Sequence, residues 1–164
     1  NLNHGIDVGE KRIGDPTSFF TGVGLDPNSV NPDHEIHRLQ LKKEAGAEYV
    51  ITQPVFDVDS LEAFLEKADL GDMFLVAGIW PLVSLRNAEF MKNEVPGVFV
   101  PDEIIQRMAA FETREDQLKA GLELAQGMVD RVLGFVQGIQ VSAPFGRYHL
   151  AVEVAKAVLK NKDD

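Results

Sequence analysis

Four short apolar runs alternate along this chain with stretches in which apolar side chains return every three or four positions. The runs are Phe19 to Leu25 (FFTGVGL), residues 47–53 around Tyr49, Val50 and Ile51, Met73 to Ile79 (MFLVAGI) and Gly134 to Val141 (GFVQGIQV). Compact apolar runs bounded by polar, glycine or proline positions read as buried strands. The helical stretches carry their own start and stop signals. Asn31-Pro32 supplies an N-cap and a proline in the first turn, and Gly46 closes that helix after Ala45, with Ile36 and Leu39 facing inward. A second helix runs from about Asp59 to Ala68 with Leu61, Phe64, Leu65 and Ala68 inside, and a third from Ser84 to Lys92, ended by Val95-Pro96-Gly97. Pro101 opens another, to about Phe111. Thr113 and Asp116 resemble an acidic capping box and start a long helix through Leu118, Leu122, Ala125, Val129 and Val132. The last helix carries Leu150, Val154, Ala155, Val158 and Leu159, and the terminal NKDD reads as a frayed tail. Residues 1–18 show no sustained period and read as a connecting loop, with a frayed helix end at Asn1 to Asn3.

The order is strand–helix four times, with an extra helix before the last strand. Such alternation calls for a parallel sheet, and a single α/β domain over residues 1–164. Two architectures satisfy it: a small doubly wound sheet, or half of an eightfold barrel, since a complete barrel takes about 250 residues. Periodicity does not separate them.

Composition narrows the function classes. The net charge of −10 and the pI near 4.8 oppose nucleic acid and anionic membranes as partners. The absence of cysteine removes disulfides, thiolate metal sites and cysteine nucleophiles. No apolar run reaches the roughly 18 residues of a spanning helix, and no signal-peptide pattern opens the chain, so the expected location is cytoplasmic. A start at Asn1 rather than methionine is consistent with a processed or excised piece.

In either architecture a ligand sits beyond the carboxyl ends of the strands. There the chain places Leu25-Asp26-Pro27, Thr52-Gln53, Trp80-Pro81-Leu82 and Ser142 to Arg147. Gln53 offers an acceptor and two donors and does not titrate, which suits a heterocycle presenting both kinds of group; the same residue would equally tie down a loop. Arg147, in APFGR just before the last helix, suits a carboxylate held by two parallel bonds, or a surface ion pair. Glu35, Arg38 and Lys42 share one helix face, the pattern of a solvated surface with one weak ion pair. No nucleophile–base pair is evident. His34 and His37 lack a third ligand for a metal, and the glycines of FFTGVGL are not spaced as a dinucleotide fingerprint.

The segments AGAEYVITQPVFD, AGIWPLVSLRNAEFMKNEVPGVFVP and QGIQVSAPFGR, preceded by GDPTSFFTGVGLDP, resemble in order and spacing the methylenetetrahydrofolate reductase family. The likeness extends to the reductase module that many bacteria fuse to a homocysteine methyltransferase. It implies the C-terminal half of a (β/α)8 TIM barrel with FAD at its carboxyl face. It also implies reduction of 5,10-methylenetetrahydrofolate to 5-methyltetrahydrofolate by NAD(P)H through the flavin. By the same resemblance Gln53 contacts the pterin and Arg147 the folate carboxylate. Leu85 takes the place of a phenylalanine over the ligand, and Glu35, Arg38 and Lys42 contact FAD, Lys42 at the pyrophosphate. The family's catalytic glutamate and flavin-tuning aspartate belong to the first half of the barrel. Gly14-Asp15-Pro16 looks like that aspartate's loop but precedes the fifth strand, so Asp15 is not given the role. No catalytic residue is therefore expected here, and the piece alone is expected to be inactive. Its open sheet is expected to pair with another copy or with the N-terminal half-barrel. The alternatives are a non-catalytic folate- or flavin-binding α/β module and an unrelated flavodoxin-like domain.

Overall fold

The spatial order of the strands decides between the two architectures. The computed structural model describes residues 1–160. Strands β1 (Gly22–Leu25), β2 (Tyr49–Pro54), β3 (Phe74–Ile79) and β4 (Gly138–Val141) lie side by side in chain order, every pair parallel. A doubly wound sheet reverses its order at a switch point. This sheet does not, so the chain winds one way, as in a segment of a (β/α)8 barrel.

Helix α1 (Pro32–Glu44) follows β1 and α2 (Val58–Leu65) follows β2. Three helices, α3 (Leu85–Glu94), α4 (Asp102–Ala109) and α5 (Arg114–Val132), separate β3 from β4, and α6 (Tyr148–Lys160) closes the described chain. Four of these helices begin on side-chain caps of the kind that satisfies an orphan N–H. Asn31 accepts from His34 N at 3.1 Å, Asp57 from Ser60 N at 3.2 Å, Ser84 from Asn87 N at 3.1 Å and Thr113 from Asp116 N at 3.1 Å. Gly46, at φ 92°, takes the left-handed position after α1.

One face of the sheet is packed. Leu25, Val50, Leu75, Ala77 and Ile79 are buried in one core with Leu39, Leu61, Met108, Val129 and Val154 from the helices. The other face carries the alternate positions. Gly22, Tyr49 and Phe74 form one row across the strands, and Gly24, Ile51, Val76 and Gly138 the next. Phe20 stacks on Tyr49 with centroids 5.1 Å apart and lies 5.9 Å from Phe74. Gly22 has to be glycine here, because a Cβ would enter the Tyr49 ring.

Several boundaries differ from the sequence reading. The first strand starts at Gly22, because Asn3 takes the backbone of Phe19, accepting from its N at 2.9 Å and donating to its O at 2.8 Å. Phe19 and Phe20 are consequently exposed. The fourth strand starts at Gly138, because Phe135 and Val136 still bond to Val132 O in the last turn of α5. In α6 the inner face is Leu150, Val154 and Ala157, with Ala155 and Leu159 outside. A short 3-10 turn, Leu2–His4, stands where a frayed helix end was expected. The tail expected at residues 161–164 lies outside the described residues.

Candidate functional site

The β2–β3 pairing breaks register between Ile51 and Pro54, at the carboxyl edge of the sheet. Thr52 is buried there, its Oγ1 accepting from Gly78 N at 2.9 Å. A Cβ on Gly78 would lie 2.5 Å from Thr52 O, so the close approach depends on glycine. Irregularities of this kind re-aim side chains beside binding sites. Here the next residue, Gln53, stands exposed over a cleft of about 510 Å³. Its amide makes no hydrogen bond within the described residues, so it does not serve as a loop tie.

The same cleft is lined by Trp80 after β3, by Gln140 of β4, and by Asn87, Phe90 and Met91 of α3. Gln140 donates only weakly, to Ser142 Oγ at 3.5 Å. Trp80 Nε1 is buried without a partner among the described residues. An N–H left so is worth about 1–3 kcal/mol to whatever supplies an acceptor. Phe145 closes the cleft. It sits in the left-handed region (φ 54°, ψ 33°) and is 78% exposed, a strained placement for a bulky residue and one that clusters at functional sites.

Beyond Phe145 the walls change character. A hollow of about 360 Å³, bounded by Ser84, Arg86, Asn87, Phe90 and Phe145, adjoins a second cleft of about 700 Å³, with Ser84, Arg86 and Phe145 in both walls. That cleft holds Leu85, Arg86, Arg114 and Arg147 together with Glu89, Glu112 and Glu115. Gln53 and Arg147 therefore do not share one cavity; they line adjoining ones that meet at Phe145.

The family model for methylenetetrahydrofolate reductase matches residues 22–142, which span all four strands and the residues of the first cleft other than Phe145. The chain belongs to that family. A solved structure of a Clostridium thermocellum protein, described as binding two copies of 5-methyl-5,6,7,8-tetrahydrofolic acid, has the same fold. Its TM-score is 0.54 at 20% identity, over 83% of this chain and 51% of that one. This chain thus spans about half the length of that protein. Comparison with curated proteins gave no match.

Within this methylenetetrahydrofolate reductase fold, Leu85 and the α1 stripe lie outside the Gln53 cleft. Leu85 lines the guanidinium cleft rather than the Gln53 cleft. Asn87, Phe90 and Met91, spaced by three and four, form the helix face that meets Gln53, and Leu85 lies two residues off that face. The stripe on α1 is not a solvated face either. Glu35 is 2% exposed, its Oε1 accepting from Asp26 N and Lys42 Nζ, both at 3.3 Å, and its Oε2 from Arg38 Nη1 at 3.1 Å. Lys42 also donates to Gly24 O at 2.6 Å. These bonds lock α1 to the carboxyl end of β1, and a buried carboxylate requires such partners. Arg38 remains half exposed, and Lys42 keeps one of its three N–H donors.

Asp26, at the end of β1, has Oδ1 held by Asn28 N at 3.0 Å, and its other oxygen faces Gly97. Burial pushes its carboxyl above the usual aspartate range, and the charge of Glu35 adds to that, against the Asn28 hydrogen bond and Arg38. Sequence reasoning had named Asp26 and Trp80 as residues of the ligand face. It missed Asn87, Phe90 and Gln140, whose spacing on α3 and alternation on β4 carried the signal.

Proposed function

We propose that this chain is the folate-holding, C-terminal half of a flavin-dependent methylenetetrahydrofolate reductase barrel. In the whole protein NAD(P)H would reduce FAD, and the flavin would reduce 5,10-methylenetetrahydrofolate to 5-methyltetrahydrofolate. Family membership supports the class. One observation about this chain carries the folate reading. Three adjoining clefts that share Phe145 present, in turn, the amides of Gln53 and Gln140, an aromatic wall, and a group of arginines interspersed with glutamates. That sequence of walls matches a molecule built as a donor–acceptor heterocycle, an aryl linker and a carboxylate end. Gln53 would hold the pterin edge, with the buried Trp80 N–H offering a further donor, and Arg147 would hold a carboxylate. The folate bound by the Clostridium thermocellum protein is consistent with this ligand class.

The residues present fit FAD in part. Arg38 has free N–H groups and Lys42 one, enough to meet phosphate oxygens, while Glu35 acts as their anchor. When bound, the flavin would supply the hydride. This chain's residues bind and orient the folate, and the proton donor belongs to the first half of the barrel. The open sheet face, with Phe20 and Phe74 about half exposed, would be covered by that half or by a second copy.

The chain's single tryptophan lines the cleft, so folate binding is read directly from its emission. We expect 5-methyltetrahydrofolate to shift the Trp80 signal saturably. Gln53→Glu, which replaces two donors by a charged acceptor, should weaken binding about tenfold. Saturable binding unchanged by Gln53→Glu would remove Gln53 from the pterin site. The second reading is a folate- or flavin-binding module without turnover, on the same fold as the folate-binding Clostridium thermocellum protein. Full-length protein that binds folate yet is colourless and does not oxidise NAD(P)H would decide for it.

A further inference from the structure

Resting on the folate reading, we propose that Arg86 is a second carboxylate ligand. With Arg147 it forms a two-pronged site that selects a ligand ending in a dicarboxylate.

The chain has seven arginines. Arg38, Arg107 and Arg131 are paired with Glu35, Glu123 and Asp59. Arg12, exposed in the N-terminal segment, and Arg86, Arg114 and Arg147 have no hydrogen-bonded or ionic side-chain partner among the described residues, and the last three line the same 700 Å³ cleft. They arrive from separate elements, and two of them occupy positions that the backbone disfavours for a cation. Arg86 is the second residue of α3 and Arg114 the first of α5, both at the positive end of a helix dipole. Among the described residues no carboxylate forms an ion pair with either of them. An anion seated in the cleft would.

Arg86 holds the key position of the three. Of the three it alone lines both the 700 Å³ cleft and the hollow that adjoins the Gln53 cleft, so it is the guanidinium nearest to a ligand lying across Phe145. The amides around it are already used: Leu85 N donates to Gln117 Oε1 at 3.0 Å and Asn87 N to Ser84 Oγ at 3.1 Å. The Arg86 amide has no such partner, and so can add a donor to the same anion. The cleft also holds three glutamates, Glu89, Glu112 and Glu115, none of them paired with these arginines among the described residues. They lower the field that a loose anion would feel, so selection rests on paired, directional bonds to two guanidiniums rather than on net charge.

The test is a Trp80 emission titration of the full chain with two probes. One is 5-methyltetrahydrofolate, whose glutamyl end carries two carboxylates. The other is 6-methyltetrahydropterin, which keeps the heterocycle and has none. We expect Arg86→Gln to weaken the folate about tenfold and leave the pterin unchanged, with Arg86→Lys recovering only part of the loss. Added salt should weaken the folate in the parent more than in Arg86→Gln. Equal weakening of both probes would make Arg86 a structural residue and overturn the proposal. So would folate affinity that falls in Arg147→Gln but not in Arg86→Gln, which leaves the folate reading standing. Failure of the unaltered chain to bind either probe would remove the folate reading and this inference with it. Arg86 is exposed at the start of its helix, so the thermal midpoint of Arg86→Gln should match the parent's and separate binding from folding.

Discussion

The two faces of the sheet were made from the same strands and met opposite fates. On the helix side Val50, Leu75, Ala77 and Ile79 are at most 2% exposed, while one position away Phe74 is 50% exposed and Gln53 and Gln140 stand in the open. Parallel sheets normally have both faces covered. The uncovered face here is not polar in compensation; its lower rows are aromatic and aliphatic, its glycines leave it flat, and its amides gather at the carboxyl edge. The face nearer the helices holds the domain together, and the open face is built to meet something else: ligand at the top, protein below.

The strongest blow to that division should come from behind the packed face. Gly121 of α5 lies against the backbone carbonyl of Leu82, and an added Cβ would collide with it. Neither the carbonyl, in a buried segment after β3, nor the helix backbone can yield cheaply. Gly121→Ala should lower stability by about 3 kcal/mol, a fall of roughly 10 °C in melting temperature. A melt within a degree or two of the parent's would mean that α5 can slide on the sheet and that the packed face is softer than it looks.

A matched pair of truncations compares the faces directly. Leu75→Ala removes a side chain that is 2% exposed and should cost about 3 kcal/mol. Its neighbour Phe74, larger but half exposed, should cost under about 1 kcal/mol in the monomeric chain. Urea denaturation of both measures the contrast. Equal losses would show the open face to be covered in solution, by a second copy of the chain. Sedimentation of Phe74→Ala would then show dissociation.

Between these faces lies the anchor of α1. Glu35→Ala strips Lys42 and Arg38 of their shared carboxylate and Asp26 N of its acceptor. A loss of about 2 kcal/mol is expected, less than for a fully buried pair because Arg38 is half exposed. Chemical denaturation reads it. An unchanged midpoint would return the stripe to the solvated face that spacing alone had allowed.

That stripe marks where sequence reasoning stopped. Helices were legible because caps and three-four spacing are local: Asn31, Ser84 and Thr113 announce their helices without help from the fold. Strand existence was equally clear, but strand ends were not, since Phe19 leaves the ladder only because Asn3, sixteen residues away, binds its backbone. The choice between a doubly wound sheet and a barrel segment depends on which strands neighbour which, and no local pattern carries that. Gln53 was readable from its place after a strand. The burial of Glu35 was not, because it is produced by β1 docking across the helix. The connection of the Gln53 cleft to Arg147 by way of Phe145 depends on a backbone conformation that L residues seldom adopt, and no spacing rule foretells it.

The smallest effect expected is also the one with a defined sign in pH. Asp26 sits at the edge where the two faces meet, and its carboxyl is pushed upward mainly by burial. The folded chain therefore binds that proton more tightly than the unfolded chain. As pH falls through the raised value the folded state gains stability from this group; as pH rises through it the gain is lost, and at neutral pH the ionised carboxylate is a mild liability beside Glu35. Asp26→Asn keeps an oxygen for Asn28 N and removes the charge. The variant should be slightly more stable than the parent near neutral pH, and the difference should shrink toward zero as the medium is acidified below the ordinary aspartate range. Denaturation midpoints across that interval decide it. A constant difference at every pH would mean that the substitution acts through packing against Gly97, and that the charge at the carboxyl end of β1 is already well solvated.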